Sequence, residues 1–486
     1  MPTCEGGPCV SSEARLKVLK VTPTSLSPAF DPDIADYTAE FSYFEPTLTI
    51  SALPMSPDAI VSCVGASLGP TGEGEIPANL PDSPDVITVD VTAVDETTKG
   101  YEVALKRAPL RTTYFKAFNA RTEAWFGQVV ALDGDSAVVG SPAENSSAQG
   151  VDGYETLTGA AEAGAAYVAT RVADGMWRRQ AYLKASDTSK GALFGTSVGI
   201  DQDTIVVGSP GKEGSKGAAY IFSRSNGTWS QQAMLTEPTR GANYRFGSGV
   251  AVQGDHVYVG ANTSPNLFNY DNGAVYAWTR SGDTWTLDEV LPNPPATEFM
   301  ASGAEYGTRI VAAGDRLAVS GFFDVYVMVR QAKQWAVEGH VTSVDLMGIA
   351  FDGDSLAVAS LNAGVHVYTR SGSSWTKQTT LLSFDAKAGD FGTSVALTGN
   401  LLVVGSRGTN ESGGISTFVR NGATWQNGQY IAPNSVEQKD NFGYSVAASG
   451  ARILVGAWGE SSSAKGFNGD VTNNAAPRAG AAFFLE

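Results

Sequence analysis

Two stretches gather most of the side chains that could hold a ligand. One reads AENSSAQGVDGYETLTGAAEAG over residues 143–164, the other GESSSAKGFNGDVTNNAAPRAG over 459–480. Asp152 and Glu155 in the first, with Asn468 and Asp470 in the second, are oxygen donors of the kind that Ca²⁺ needs in sets of about six to eight. A third stretch, NTSPNLFNYDNG over 262–273, sets Phe268 and Tyr270 beside Asn and Asp. Aromatic rings cover the apolar face of a sugar or peptide while amides and carboxylates fix its polar groups. The candidate ligand-binding set is therefore Asp152, Tyr154, Phe268, Tyr270, Trp458, Asn468 and Asp470. A metal on Asp152, Glu155, Asn468 and Asp470 ranks below a pair of loops packed on themselves. The HExxH and phosphate-loop signatures are missing. His256 and His366 sit inside DHVYVG and VHVYTR, where hydrogen-bonded strand positions are expected, and His340 completes the set of three. The chain reads as non-catalytic. A converging carboxylate pair of the glycosidase type is the enzymatic alternative.

Repeats must position these residues. FGTSV occurs at 194–198 and at 391–395, and FGYSV at 442–446. Seven units open on an aromatic or Met followed by Gly: Phe126-Gly127, Phe194-Gly195, Phe246-Gly247, Tyr306-Gly307, Met347-Gly348, Phe391-Gly392 and Phe442-Gly443. An apolar strand, a tight turn such as LDGD (132–135) and a second apolar strand such as TIVVGSP follow. A third strand such as GAAYIFSR and a Trp-bearing hairpin into a fourth complete the unit. Four strands repeated in this way describe a seven-bladed β-propeller over residues 109–486, its blades opening near 126, 194, 246, 306, 347, 391 and 442. Each opening Gly permits a close approach, and each aromatic is expected to pack between blades. The last unit stops after its third strand. An open edge invites foreign pairing, and LRTTYFKAFNAR (110–121) is similar to WRRQAYLKASDT (177–188). Strand 110–118 is therefore expected to complete blade seven.

Residues 15–108 alternate apolar and polar, as in DVITVDVTAV, which predicts a β-sandwich with one wet face per sheet. Residues 1–14 read as a disordered tail in which Cys4 and Cys9 are spaced for a small disulfide loop. Cys63 reads as a buried, unreactive strand thiol.

FGTSV…IVVGSP and FGYSV…ILVGAW resemble the FG-GAP repeats of integrin α-chain propellers and of bacterial secreted proteins, over residues 110–486. LSPAFDP with Tyr37-Thr38, and VTAVDETTKGYEVALKR, resemble the cadherin-like β-sandwich of bacterial surface proteins. The fold class is all-β, an Ig/cadherin-like sandwich followed by the propeller. Both resemblances imply a secreted or cell-surface location, and the integrin-like propeller implies that ligand is taken by the face that carries the second-to-third and fourth-to-first strand loops. The FG-GAP resemblance also implies Ca²⁺ in the turns between first and second strands. Those turns depart from the pattern: LDGDSA, IDQDTI and VQGDHV are two-residue connections, too short to wrap an ion. No cofactor is expected.

Lys+Arg of 33 against Asp+Glu of 50 gives −17, which excludes nucleic acid and anionic membrane surfaces as natural partners. No apolar run reaches the roughly 18 residues of a membrane span. The start MPTCEGGPCV shows no export segment, so Met1 is read as other than the native start. The expected function is a non-catalytic exported surface protein, adhesive or scaffolding, binding an extracellular protein or carbohydrate through rim loops. The alternatives are a lectin with pockets between blades and a glycoside hydrolase. Loops of very unequal length favour one asymmetric patch.

Overall fold

The computed structural model describes every residue except 1–10, 79–84, 239–243, 263–272, 293–304, 332–333, 344, 362, 386–388 and 409–411. Cys4, Cys9, Phe268 and Tyr270 lie outside the described residues. Two compact units result, one of residues 1–111 with 419–428 and 486, the other of 112–418 with 429–485.

The first unit holds two sheets. Leu16–Thr22, Thr47–Pro54 and Glu73–Pro77 form one, with Thr47–Pro54 central. The other runs in the spatial order Leu26–Ser27, Asp36–Phe41, Thr98–Arg107, Val86–Thr92 and Ile60–Val64. Alternation decides the core: Ile87, Val89 and Val91 point inward to meet Leu19, Ile50 and Tyr101. The Tyr37 hydroxyl donates to the Asp31 carbonyl at 2.6 Å, tying down the segment before its strand. Cys63 corrects the expectation of a buried thiol. It lies on the edge strand Ile60–Val64, which is covered on one face only, and is half-buried and unpaired. Burial still pushes its thiol pKa up.

In the second unit, sheet one comprises Val129–Asp133, Ser136–Ser141, Ala165–Arg171 and Trp177–Leu183 in that order. Five more four-stranded sheets follow it, opening at Ser197, Phe246, Arg309, Leu346 and Phe391. A seventh runs Ser445–Ser449, Arg452–Ala457, Ala481–Leu485, Thr112–Lys116, with Gly466–Phe467 outermost. Thr112–Lys116 pairs antiparallel with Ala481–Leu485, placing Phe115 opposite Ala482. First strands of successive sheets touch in turn, and Ser445–Ser449 touches Val129–Asp133. Second strands such as Ser136–Ser141 and Thr204–Ser209 are buried throughout, because a neighbouring sheet covers each face. That is why they read as unbroken Val and Ile runs.

The FG pairs join one sheet to the next. Phe194 forms a parallel bridge to Gly164 of sheet one. It packs with Val138, Val168, Ile205 and Tyr220 of both sheets. The fifth unit differs from its expected register. Leu346, not Met347, stands opposite Ser360 where Phe391 stands opposite Ser406 in sheet six, and Gly348 takes the place of Ser394. Leu346 is buried and serves the apolar role without an aromatic ring.

The turn carboxylates have structural partners. Asp203 pairs with Arg224 at 2.6 Å, and Asp255 with Arg280 at 2.7 Å, each within its own sheet. Asp133 Oδ2 instead accepts the Gln202 amide of the next sheet at 2.7 Å. Asp201 accepts the Gly254 amide and Asp352 the Gly399 amide in the same way. Ser449 Oγ accepts the Gly134 amide at 2.9 Å, carrying the series from sheet seven to sheet one. These acids staple turns to neighbouring turns, and the arrangement does not fit a calcium ion. Asp133→Ala is expected to cost about 1–2 kcal/mol, read as a lower urea midpoint, whereas Asp133→Asn keeps the acceptor and loses less. Equal losses would show that the staple is not what Asp133 contributes.

Candidate functional site

Residues 142–164 and 458–480, the second-to-third-strand loops of sheets one and seven, fold by the same rules. Asp152 donates its amide to the Tyr182 carbonyl at 2.8 Å, and its Oδ1 accepts the Tyr182 amide at 2.9 Å. Asn468 does the same with Tyr114, at 2.9 and 3.1 Å. Both adopt positive φ, 52° and 51°, a conformation that Asp and Asn tolerate better than most residues. Each loop thereby lies along the outer strand of its own sheet, with Val151 bridging Leu183 and Phe467 opposite Phe115.

A buried ion pair anchors each loop from beneath. Lys184 Nζ reaches Glu144 Oε2 at 2.9 Å, with side chains 0% and 1% exposed. Glu144 Oε1 also accepts the Ser146 amide and Asn119 Nδ2, each at 2.9 Å. Lys184 spends its other protons on the Ser146 and Gly164 carbonyls, at 2.8 and 2.6 Å. In sheet seven Lys116 pairs with Glu460, which accepts the Tyr114 hydroxyl at 2.9 Å and the Ser462 amide at 3.0 Å. Burial pulls both lysines below their ordinary pKa, against the opposing pull of the carboxylates. Sequence reasoning missed all four residues. Their signal is the shared Glu at the loop start and the shared Lys-Ala after the outer strand, in YLKAS and YFKAF.

The expected site residues are therefore sorted differently. Asp152 and Glu155 do meet, on Arg179, at 3.3 and 2.8 Å. Asp470 turns back on Thr472, accepting its amide at 2.8 Å and its hydroxyl at 2.6 Å. Those bonds hold its carboxyl below the usual range. Among the described residues no three His, Cys, Asp or Glu side chains gather as a metal would require. The proposed four-ligand set is not assembled, because three members are occupied in shaping their loops and Glu155 is held by Arg179. Trp458 is half-buried, edge-on to Trp125 at 6.0 Å and to Tyr444 at 5.8 Å. Tyr154 stands out, 83% exposed at the tip of the first loop. His256 Nδ1 lies 3.1 Å from Thr279 Oγ1, and His366 Nδ1 3.0 Å from Thr380 Oγ1. Both are ordinary cross-strand contacts, and burial lowers both imidazole pKa values.

Asp440 is buried near Glu460 and Glu437. Burial pushes its carboxyl up to about 7, helped by those two acids and opposed by the Glu437 amide and Lys116. Between the unfolded value near 4 and about 7 the folded state holds the extra proton, so this group's contribution to stability falls as pH rises through that window. Asp440→Asn is expected to remove that fall, on the order of 4 kcal/mol. Urea midpoints measured from pH 4 to 8 check it, and parallel profiles for the two proteins would contradict it.

A model of the FG-GAP repeat matches residues 177–222, 229–278, 375–418 and 425–474. A model of the cadherin-like beta sandwich domain matches 16–108. A search of curated proteins returns no match. Among solved structures, a protein from Lactobacillus plantarum is similar at 14% identity, over 73% of this chain and 90% of that one, with a TM-score of 0.45. A chain of the Mitotic Checkpoint Complex is similar at 14% identity, over 72% and 92%, with a TM-score of 0.47. The chain thus carries FG-GAP repeats behind a cadherin-like β-sandwich domain.

Proposed function

We propose that the second unit is a seven-bladed propeller closed by strand 112–116, and that the protein is an exported, non-catalytic surface protein. It binds an extracellular protein or glycan through the rim built by loops 142–164 and 458–480, with the sandwich as spacer or second contact. The observation that carries this reading is Tyr154, 83% exposed on a loop whose base is locked by a buried ion pair. An exposed aromatic on a rigid frame binds with little ordering cost. FG-GAP and cadherin-like modules support the surface location.

The loops also weigh against a lectin with equivalent pockets, since sheets four and five have only residues 321–323 and 361–363 at the corresponding place. The test is the full chain on a glycan array and against surface-protein extracts, with calcium and with chelator. Binding that Tyr154→Ala abolishes supports the rim. Binding that needs calcium contradicts the cofactor-free reading. Turnover of chromogenic glycosides, lost on replacing one carboxylate, would make the protein a hydrolase instead.

A further inference from the structure

The beginnings of the first strands of all seven sheets enclose a cavity of about 470 Å³. Thr196, Ser248, Thr308 and Thr393 line it, with Gln128 and Tyr444. Arg309 is its one charged lining residue. The far ends of the same strands surround a second cavity of about 470 Å³ lined by Asp133, Asp201 and Asp352, so the two ends differ in sign.

Arg309 is held by its backbone, whose amide donates to Ser320 Oγ at 3.1 Å. Its guanidinium makes no ion pair or hydrogen bond with the described residues, and feels Glu305 and Tyr444 only through space. The enclosing strands pull its pKa below the ordinary value, yet an arginine stays charged in proteins. Arg309 is half-buried, and a cation lining a cavity without a partner is placed to receive an anion.

The hydroxyls around it say which anion. Thr196 donates to the Leu193 carbonyl, Thr308 to that of Glu305 and Thr393 to that of Asp390, each at 2.7 Å. Ser248 donates to the Arg245 carbonyl at 2.6 Å. Their protons are spent, so toward a ligand these oxygens act as acceptors. The cavity thus offers one planar cation, several acceptors in the Thr and Ser ring, and the Gln128 amide and Tyr444 hydroxyl, which both donate and accept. A phosphate dianion, which brings acceptors only, matches the cation and conflicts with the ring. A ligand with one carboxylate and several hydroxyls matches both.

We propose that this cavity binds a carboxylate-bearing sugar, a hexuronate, with its carboxylate on Arg309 and its hydroxyls donating to the Thr and Ser ring. The cavity volume suits one monosaccharide. None of these residues lies in loops 142–164 or 458–480, although Tyr444 packs against Trp458 at the edge of the second loop.

Calorimetric titration of the full chain with galacturonate, galactose and inorganic phosphate tests it. Saturable binding of galacturonate is expected, at least tenfold tighter than either of the others. Arg309→Gln should weaken it at least tenfold while Tm stays unchanged or rises, because an unpaired charge is removed. Arg309→Lys, which keeps the charge and loses the planar fork, should bind more weakly than the parent protein and still prefer galacturonate to galactose. Tyr154→Ala should leave galacturonate binding unchanged, which separates this site from the rim. No heat with galacturonate, equal binding of phosphate or galactose, or binding that survives Arg309→Gln would each overturn the assignment. The three ligand comparisons need no variant to fold.

Discussion

Lys184→Met is expected to destabilise the protein by about 3–5 kcal/mol, a large share of the total for an ordinary domain. The loss comes less from the missing attraction than from what stays behind. Glu144 is 1% exposed and would keep its charge without the ammonium that offsets its desolvation. The Ser146 and Gly164 carbonyls would lose their donor as well. The double variant Glu144→Gln/Lys184→Met removes both charges and should recover more than half of the loss, since a buried pair replaced as a pair is often near neutral. Equilibrium urea unfolding of the parent, both singles and the double gives the coupling directly. Additive losses would mean that the two side chains do not act as a pair.

Gly195→Ala ranks beside it. Gly195 sits at φ +89°, and a Cβ there would overlap the Ala165 carbonyl oxygen of the preceding sheet. The left-handed conformation costs a residue with a Cβ about 1–2 kcal/mol, and forcing the sheets apart adds about 1–3. A loss of about 2–5 kcal/mol is therefore expected, with less protein in the soluble fraction on expression. Gly134→Ala is the control: φ is +52°, nothing lies within 4 Å of its added Cβ, and about 1 kcal/mol is expected. Equal losses at the two glycines would show that close approach between sheets is not what Gly195 serves.

Gly195 was legible in the sequence because FG recurs in register with apolar strands, and only a shared structural demand repeats a glycine so often. The similarity of 110–121 to 177–188 likewise located the partner of Ala481–Leu485. Other features were hidden for definite reasons. Leu346 replaces the aromatic of its unit, so the eye settles on the next Met-Gly and slips in register. Lys184 looks like any solvated lysine until its loop is known to fold back over it. Asp152 and Asn468 look like ligands because the chemistry that holds a cation also holds a turn. Arg309 gave no signal at all: one arginine at a position that holds Ser197, Ser394 or Ser445 in other repeats becomes conspicuous only when seven strands converge around it.

If the rim binds as proposed, the two anchored loops decide how its recognition can change. Their bases are nearly copies, Glu144 matching Glu460 and Asp152 matching Asn468, while the tips have diverged, Tyr154 in one and Asp470 in the other. Retention of the frame is thereby uncoupled from drift at the apex. Exposed apex side chains such as Tyr154 can be rewritten, by natural variation or by an engineer, without disturbing the buried Glu–Lys pairs beneath the loops. A pair of such cassettes would let this surface follow a changing partner while the scaffold stays still.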